Sequence, residues 1–200
     1  MKKQTIITWI FLGLFTLTFY AQEEQTPINY FGFSEPILLS NTLYELAFSS
    51  HPRANYYKQE YIKKGESLSH FDRLITLDVL VGGYPPEYGM GGKIIELKKL
   101  QESNPRVQYE VLEQNGDLIL DFIIVSDSFN ETSEKVAERN VYMYRSIMLE
   151  DNVKALVLFA VSDRAYGDEA EKFYTANMAF KFELVNTVAG FKLPKITITN

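Results

Sequence analysis

Asp121 is the only charge in the apolar run Leu118–Val125. A carboxylate there is costly unless it is paired or used. Two chemistries fit it. One is a structural ion pair. The other is carboxylate-based hydrolysis, which needs a second Asp or Glu at about 5–10 Å and leaves no sequence signature. Arg145 interrupts Val141–Leu149 in the same way. The expectation is that Asp121 and Arg145 sit on neighbouring strands and face each other or one cleft. The competing expectation puts each on the solvent face of a half-exposed sheet.

The other ingredients of catalysis are sparse. There are two histidines, His51 in a turn-forming stretch and His70 beside Ser67, Ser69 and Asp72. A Ser-His-Asp triad needs these groups to point at one another, and no G-x-S-x-G turn is present. Two histidines and no cysteine are a thin supply for zinc. Asp163, Asp168 and Glu169 gather around Gly167 and offer oxygen to calcium. No D-x-D-x-D-G loop is present, and a helix start accounts for Asp168 and Glu169 more simply. No catalytic residue, metal ligand or cofactor is assigned.

Tyrosines are dense where strands are expected: Tyr44, Tyr56, Tyr57, Tyr61, Tyr109, Tyr142 and Tyr144. Their rings with polar tips suit a binding face, and equally the exposed side of any sheet. Gly82–Gly92 (GGYPPEYGMGG) holds five glycines and two prolines. It lacks both glycine-rich phosphate motifs. It reads as an irregular loop, either a mobile rim carrying Tyr84 and Tyr88 or a plain surface loop. The candidate binding set is therefore Asp121, Arg145, Tyr142, Tyr144, Tyr109, Tyr84 and Tyr88.

The elements that position these residues are read from pattern. Leu43–Ser50 and Ala54–Ile62 read as strands, with a turn at Ser49–Pro52. Ser67 or Ser69 caps a short helix carrying Phe71 and Leu74; Ile75–Val81 reads as helix end or strand. Lys93–Ser103 reads as a helix with Ile94, Leu97 and Leu100 on one face, stopped by Asn104-Pro105. Val107–Glu113 alternates, and Asn115-Gly116 is a strong hairpin signal. Leu118–Val125, Val141–Leu149 and Val153–Ser162 read as further strands, with a polar connection over Asp127–Glu138. A last helix opens at Asp168, carries Phe173, Ala176, Phe180 and Leu184, and ends near Gly190. Consecutive strands on tight turns pair antiparallel. The fold class is α+β: an antiparallel β-meander sheet with two main helices packed on it.

Residues 1–21 have the layout of a secretory signal peptide: Lys2-Lys3, an apolar run from Ile6 to Tyr20, then Ala21. Cleavage after Ala21 is expected, with an exported periplasmic or extracellular product and no membrane span left. Residues 22–42 read as an extended lead-in, with Tyr30–Phe33 lying on the domain, and 43–200 as one domain. Net charge is −6, and −8 without Lys2 and Lys3. An acidic chain without basic runs is a poor partner for nucleic acid or anionic lipid. The absence of cysteine excludes disulfides and thiol chemistry.

Two stretches carry a resemblance. The first is Tyr57–Ser67 (YKQEYIKKGES) followed by Phe71 and Ile75-Thr76. The second is Glu138–Arg145 (ERNVYMYR) followed by Asp151-Asn152 and Ala155–Val157. They resemble small uncharacterised exported bacterial proteins, with Phe71 where those carry Trp, and the element order is similar to the Mog1/PsbP-like α+β fold. The resemblance implies a binding or accessory role and transfers no catalytic residue. The functional expectation is a non-enzymatic envelope protein that binds a partner protein or small ligand through its sheet face and the 82–92 loop. The alternatives are a carboxylate-based hydrolase centred on Asp121 and a structural accessory of an envelope assembly.

Overall fold

The structure is a computed structural model that describes residues 26–32, 36–127, 134–179 and 182–199. The signal-peptide segment 1–21, Phe33, residues 128–133 of the polar connection and Phe180 lie outside the described residues.

Among the described residues eight strands form one antiparallel sheet: β1 (Ile37–Leu39), β2 (Thr42–Arg53), β3 (Tyr56–Ile62), β4 (Arg73–Val81), β5 (Gln108–Gln114), β6 (Asp117–Ser126), β7 (Val136–Met148) and β8 (Lys154–Tyr166). Their order is β1-β2-β3-β4-β8-β7-β6-β5. The sheet is thus two meanders joined where β4 pairs antiparallel with β8, rather than one continuous meander. Helix α1 (Pro86–Ser103) carries the chain from β4, in the middle, to β5 at the far edge. Two further helical segments come after β8: α2 (Glu169–Ala179) and α3 (Phe182–Ala189). The single closing helix expected from sequence is therefore described as two segments, on either side of residues 180–181.

Alternation along the strands sorts the core into two layers. On one face Ile75, Leu77, Val79, Ile119, Val141, Met143, Val157, Phe159 and Val161 are buried beneath α3 and the two ends of the described chain. Phe31 is fully buried there, beside Tyr57 and Tyr61. The ends meet over this layer: the Thr197 amide donates to the Phe31 carbonyl at 3.0 Å and the Thr199 amide to the Tyr30 carbonyl at 2.9 Å. On the opposite face α1 covers Leu120, Phe122, Tyr144 and Leu156 with Met90 and Leu97.

Several local expectations change. The turn expected at Ser49–Pro52 lies inside β2, and the chain reverses at Ala54-Asn55 instead. Pro52 is tolerated because the β2–β3 register slips between Ser50 and Arg53, where a missing N–H breaks no ladder bond. The short helix expected around Phe71 is a tight turn closed by Ser67 and His70. From Arg73 onward the chain is strand, because Ile75, Leu77 and Val79 repeat at period two. The Asn115-Gly116 hairpin forms as expected: both residues take positive φ, 55° and 83°, as a two-residue hairpin turn requires.

The largest correction concerns residues 82–92. Helix α1 begins at Pro86, so Gly89, Gly91 and Gly92 are helical. Pro86 occupies the first turn, where its fixed φ suits the helix and its missing N–H costs nothing. Tertiary packing then outweighs the poor helix propensity of glycine. Met90, Ile94 and Leu97 form the stripe against the sheet, and Leu100, expected on that stripe, is exposed.

Candidate functional site

Asp121 and Arg145 do project from the same sheet face, but they do not pair. In the β6–β7 ladder Asp121 lies opposite Val141, one step along from the Ile123–Arg139 pair. Arg139 therefore reaches Asp121, donating Nε to Oδ1 at 3.0 Å and Nη2 to Oδ2 at 2.8 Å. Arg145 instead holds Asp117, with Nε to Oδ1 at 2.7 Å and a second bond to Oδ2. Hydrogen bonding to Asp117 outweighs burial and raises the Arg145 pKa. Both oxygens of each carboxylate face a guanidinium in the bidentate geometry that fits the two groups best. Arg139 also donates to Asn177 of α2 at 3.0 Å, which ties the pair to the helical layer.

A depression of about 260 Å³ opens at this point, lined by Gln108, Glu110, Asp121, Ile123, Arg139 and Asn177 among others. It brings Glu110 beside Asp121, as their ladder pairing requires. Arg139 engages both oxygens of Asp121 and so holds the carboxylate in its charged form within the pair. A larger depression of about 590 Å³ lies at the end of the sheet, between Pro86-Glu87 of α1, the Asn115-Gly116 turn, Asp117 and Arg145.

Three of the candidate tyrosines belong to the other face. Tyr109, Tyr142 and Tyr144 all pack into the layer under α1. Tyr144 is buried, with its ring against Leu156 of the same layer and against the backbone of Gly89. Tyr142 is half-buried, edge-on to Phe122, and the Lys93 ammonium stands 5.9 Å from its ring centre. Tyr84 and Tyr88 lie further out, ring to ring at 5.1 Å around the start of α1. The seven residues do not form one site. Asp121 and Arg145 are on one face of the sheet, Tyr109, Tyr142 and Tyr144 on the other, and Tyr84 and Tyr88 at the start of α1.

Helix α1 leaves the β3–β4 side of its face open. Tyr56, Lys58, Glu60, Thr76 and Asp78 are all half-buried along that strip. Asp78, Leu158 and Tyr144 form one row across β4, β8 and β7, so the phenol of Tyr144 and the carboxyl of Asp78 flank one leucine. The Tyr56 hydroxyl donates to Asp78 Oδ2 at 2.7 Å. Oδ1 is shielded from solvent and, among the described residues, has no hydrogen-bond partner. Burial pushes the Asp78 carboxyl up to about 6, against the opposing pull of the Lys58 ammonium and the Tyr56 hydrogen bond. The same burial, reinforced by the negative charge of Asp78, pushes the phenols of Tyr56, Tyr142 and Tyr144 well above their usual range. Lys58 lies 2.7 Å from Glu60; burial would depress its pKa, but Asp78 and Glu60 together raise it.

Asp78 was legible by the rule that singled out Asp121, because it is the one charge in Leu74–Val81 as Asp121 is in Leu118–Val125. Arg139 and Asp117 gave no such signal, since Arg139 lies between Glu138 and Asn140 and Asp117 follows the Asn115-Gly116 turn, so neither is a lone charge inside an apolar run. The histidines are exposed and each stacks on a tyrosine, His51 on Tyr57 and His70 on Tyr166, both at 4.0 Å. Among the described residues no group of His, Asp and Glu is placed to hold a metal ion. None of their helices is long and apolar enough to cross a membrane. The chain has no cysteine to form a disulfide.

The fold defines an α+β protein built on an antiparallel sheet, with its most unusual electrostatics on the half-open side beside α1. A protein-family model covers residues 31–193, from the buried Phe31 to the segment after α3. The chain belongs to that family, an uncharacterised one. No curated protein and no solved structure matches the chain.

Proposed function

We propose that the chain is exported, loses residues 1–21, and acts in the envelope as a non-enzymatic binding protein. The ligand, a small molecule or a segment of a partner protein, lies on the open strip of the α1 face. The 82–92 segment borders it through Gly89 and Met90. One observation carries this reading: among the described residues Asp78 Oδ1 is shielded from solvent and has no hydrogen-bond partner, on the sheet face that also carries Tyr142 and Tyr144. Buried polar groups are normally satisfied, and an unsatisfied one costs about 1–3 kcal/mol. A ligand that hydrogen-bonds Asp78 Oδ1 recovers that cost. Engagement of both Asp121 oxygens by Arg139 speaks for binding over a hydrolase centred on that residue. The Mog1/PsbP-like assignment belongs to the same proposal. Its support is the order of elements, with α1 between two antiparallel meanders.

The test is native mass spectrometry of the protein taken from its own cell envelope. The expected result is an N-terminus at Gln22 and a reproducible extra mass. That mass disappears in the Asp78→Asn, Tyr142→Phe double variant, which still melts cooperatively. A retained signal segment overturns export. An extra mass unaffected by the double variant, or none at all, overturns the site.

A further inference from the structure

Among the described residues Asp78 has no counter-ion of its own. Lys58 stands opposite it on β3 and Leu158 on β8. Its Oδ2 accepts from Tyr56, and its shielded Oδ1 accepts from nothing described. The Lys58 ammonium is engaged elsewhere, 2.7 Å from Glu60. Were Lys58 to turn to Asp78, Glu60 would lose its partner instead. Two half-buried carboxylates thus share one ammonium. The other charges around the strip are matched: Lys93 lies 3.0 Å from Glu96, and Arg164 donates to Glu138 at 2.7 Å. Arg53, opposite Tyr56, faces solvent. A carboxylate drawn away from water is costly without a cation beside it.

We propose that the ligand of this strip is an organic amine, whose ammonium donates to Asp78 Oδ1 and completes the charge balance of Asp78, Glu60 and Lys58. The assignment rests on the binding reading of the same strip and names the class of ligand. The floor beside Asp78 suits the rest of such a molecule, because Leu80 on β4 and Leu158 on β8 are half-buried apolar side chains. Apolar lining with one oriented polar group is the ordinary build of a small-molecule site. A neutral donor satisfies Oδ1 but leaves the charge unmatched, and the charge-assisted bond is the stronger one. An anion meets the surplus carboxylate. Calcium asks for about six or more oxygens, and among the described residues no three His, Asp or Glu gather to supply them. Lys58 has the freedom to uncover Oδ1, since its stem is flexible and its side chain is 30% exposed.

Without the amine, a proton stands in for it. Burial pushes the Asp78 carboxyl up to about 6, against the pull of Lys58 and the Tyr56 hydrogen bond. Tyr56, Lys58 and Glu60 share the strip with it on β3, and Tyr142 and Tyr144 lie on β7, with Lys93 and Glu96 beyond them on α1. The raised pKa values of the lysine and the three tyrosines keep those groups protonated near neutral pH. The ammonium therefore competes with the proton on Asp78. Its affinity falls as pH drops through about 6, by about tenfold between pH 7 and pH 5.

Titration calorimetry with three matched probes tests this: phenethylamine, phenethyl alcohol and phenylacetate. The amine is expected to bind about tenfold or more tighter than the alcohol at pH 7, and phenylacetate not to bind. Only the amine should weaken at pH 5. Asp78→Asn should abolish the preference for the amine. Glu60→Gln should weaken amine binding too, because it frees Lys58 to serve Asp78 while leaving that carboxylate in place. Lys58→Gln should strengthen it. Thermal melts check the folding of each variant. Amine and alcohol that bind alike, an amine that does not bind, or an affinity indifferent to Glu60→Gln overturns the inference. Its failure is separable from failure of the binding reading. An envelope-derived mass that the Asp78→Asn, Tyr142→Phe variant loses, but that contains no basic nitrogen, keeps the site and overturns the amine.

Discussion

Arg139 closes on Asp121 across the β6–β7 ladder with two parallel hydrogen bonds of 3.0 and 2.8 Å, and both side chains are almost entirely shielded from solvent. Two charges this deep are stable only as a pair, because each alone bears the desolvation penalty of the interior. Arg139→Met should therefore cost about 3–5 kcal/mol, the range for stranding one member of a buried pair. Asp121→Asn and Arg139→Met should show strong coupling in a urea-denaturation double-mutant cycle. The cycle of Asp121→Asn with Arg145→Met should be additive within about 0.5 kcal/mol. Coupling to Arg145 rather than Arg139 would refute this pairing.

Asp78 gives a pH dependence whose sign is fixed. Its carboxyl holds its proton up to about 6 in the folded protein, against 3.8 ordinarily. The folded state thus binds a proton that the unfolded chain has already released. The resulting stabilisation is fully present below the ordinary value and is lost as pH rises through about 6. Over that window it amounts to about 3 kcal/mol. Lys58, Glu60, Tyr56, Tyr142 and Tyr144 face the same strip, and the raised pKa values of the lysine and the tyrosines keep those groups from titrating there. Asp78→Asn should remove this part of the slope, measured as urea-denaturation stability against pH. An unchanged slope would mean that the carboxyl titrates normally.

The glycines of α1 should respond with opposite signs. A methyl group at Gly89 would stand 3.0 Å from the Tyr144 ring and 3.2 Å from Leu156. Gly89→Ala should therefore destabilise by about 1–3 kcal/mol through overpacking. Gly91→Ala and Gly92→Ala meet open space and should each stabilise the monomer by about 0.5–1 kcal/mol. Thermal melts of dilute protein separate the two outcomes, and equal effects at all three positions would contradict this packing.

Tyr166 ties the turn before β4 to the end of β8. The Phe71 amide donates to its hydroxyl at 3.0 Å, and the hydroxyl donates to the Phe71 carbonyl at 3.1 Å. Tyr166→Phe strands both backbone groups and should cost about 1–3 kcal/mol. Hydrogen exchange at Phe71 should accelerate with it. Protection at Phe71 that is indifferent to the substitution would remove Tyr166 from this role.

The strands were legible in the sequence wherever one periodicity dominated. Leu118–Val125 and Val153–Ser162 needed no partner to be read, and Asn115-Gly116 named its own hairpin. The start of α1 was not legible, because five glycines and two prolines argue locally against a helix. The override comes from Met90 and Gly89 seated against β7 and β8, a contact with residues more than fifty positions away. The site was half legible for a similar reason. A lone charge in an apolar run marks a position, and Asp121 and Arg145 each hold a bidentate ion pair. Partnership, however, depends on ladder register. Asp121 lies opposite Val141, so the arginine two residues before that position, Arg139, reaches it and Arg145, four residues beyond, does not. The separation of the tyrosines from the charges is a matter of strand parity across several strands, which only the full strand order reveals.

The joining of Phe31 to Thr197 and of Tyr30 to Thr199 sets a clock on the folding of this chain. The two sides of that seam are far apart along the chain, and the ribosome makes the Tyr30–Phe31 side long before the Thr197–Thr199 side. Until Ile196 arrives, the layer that holds Tyr57, Tyr61 and Leu77 lacks part of its cover, however complete the strands beneath it. A chain that has not reached those residues therefore leaves part of an aromatic layer uncovered, a surface that a chaperone can hold. Ile196, Thr197 and Thr199 are the residues that end this waiting.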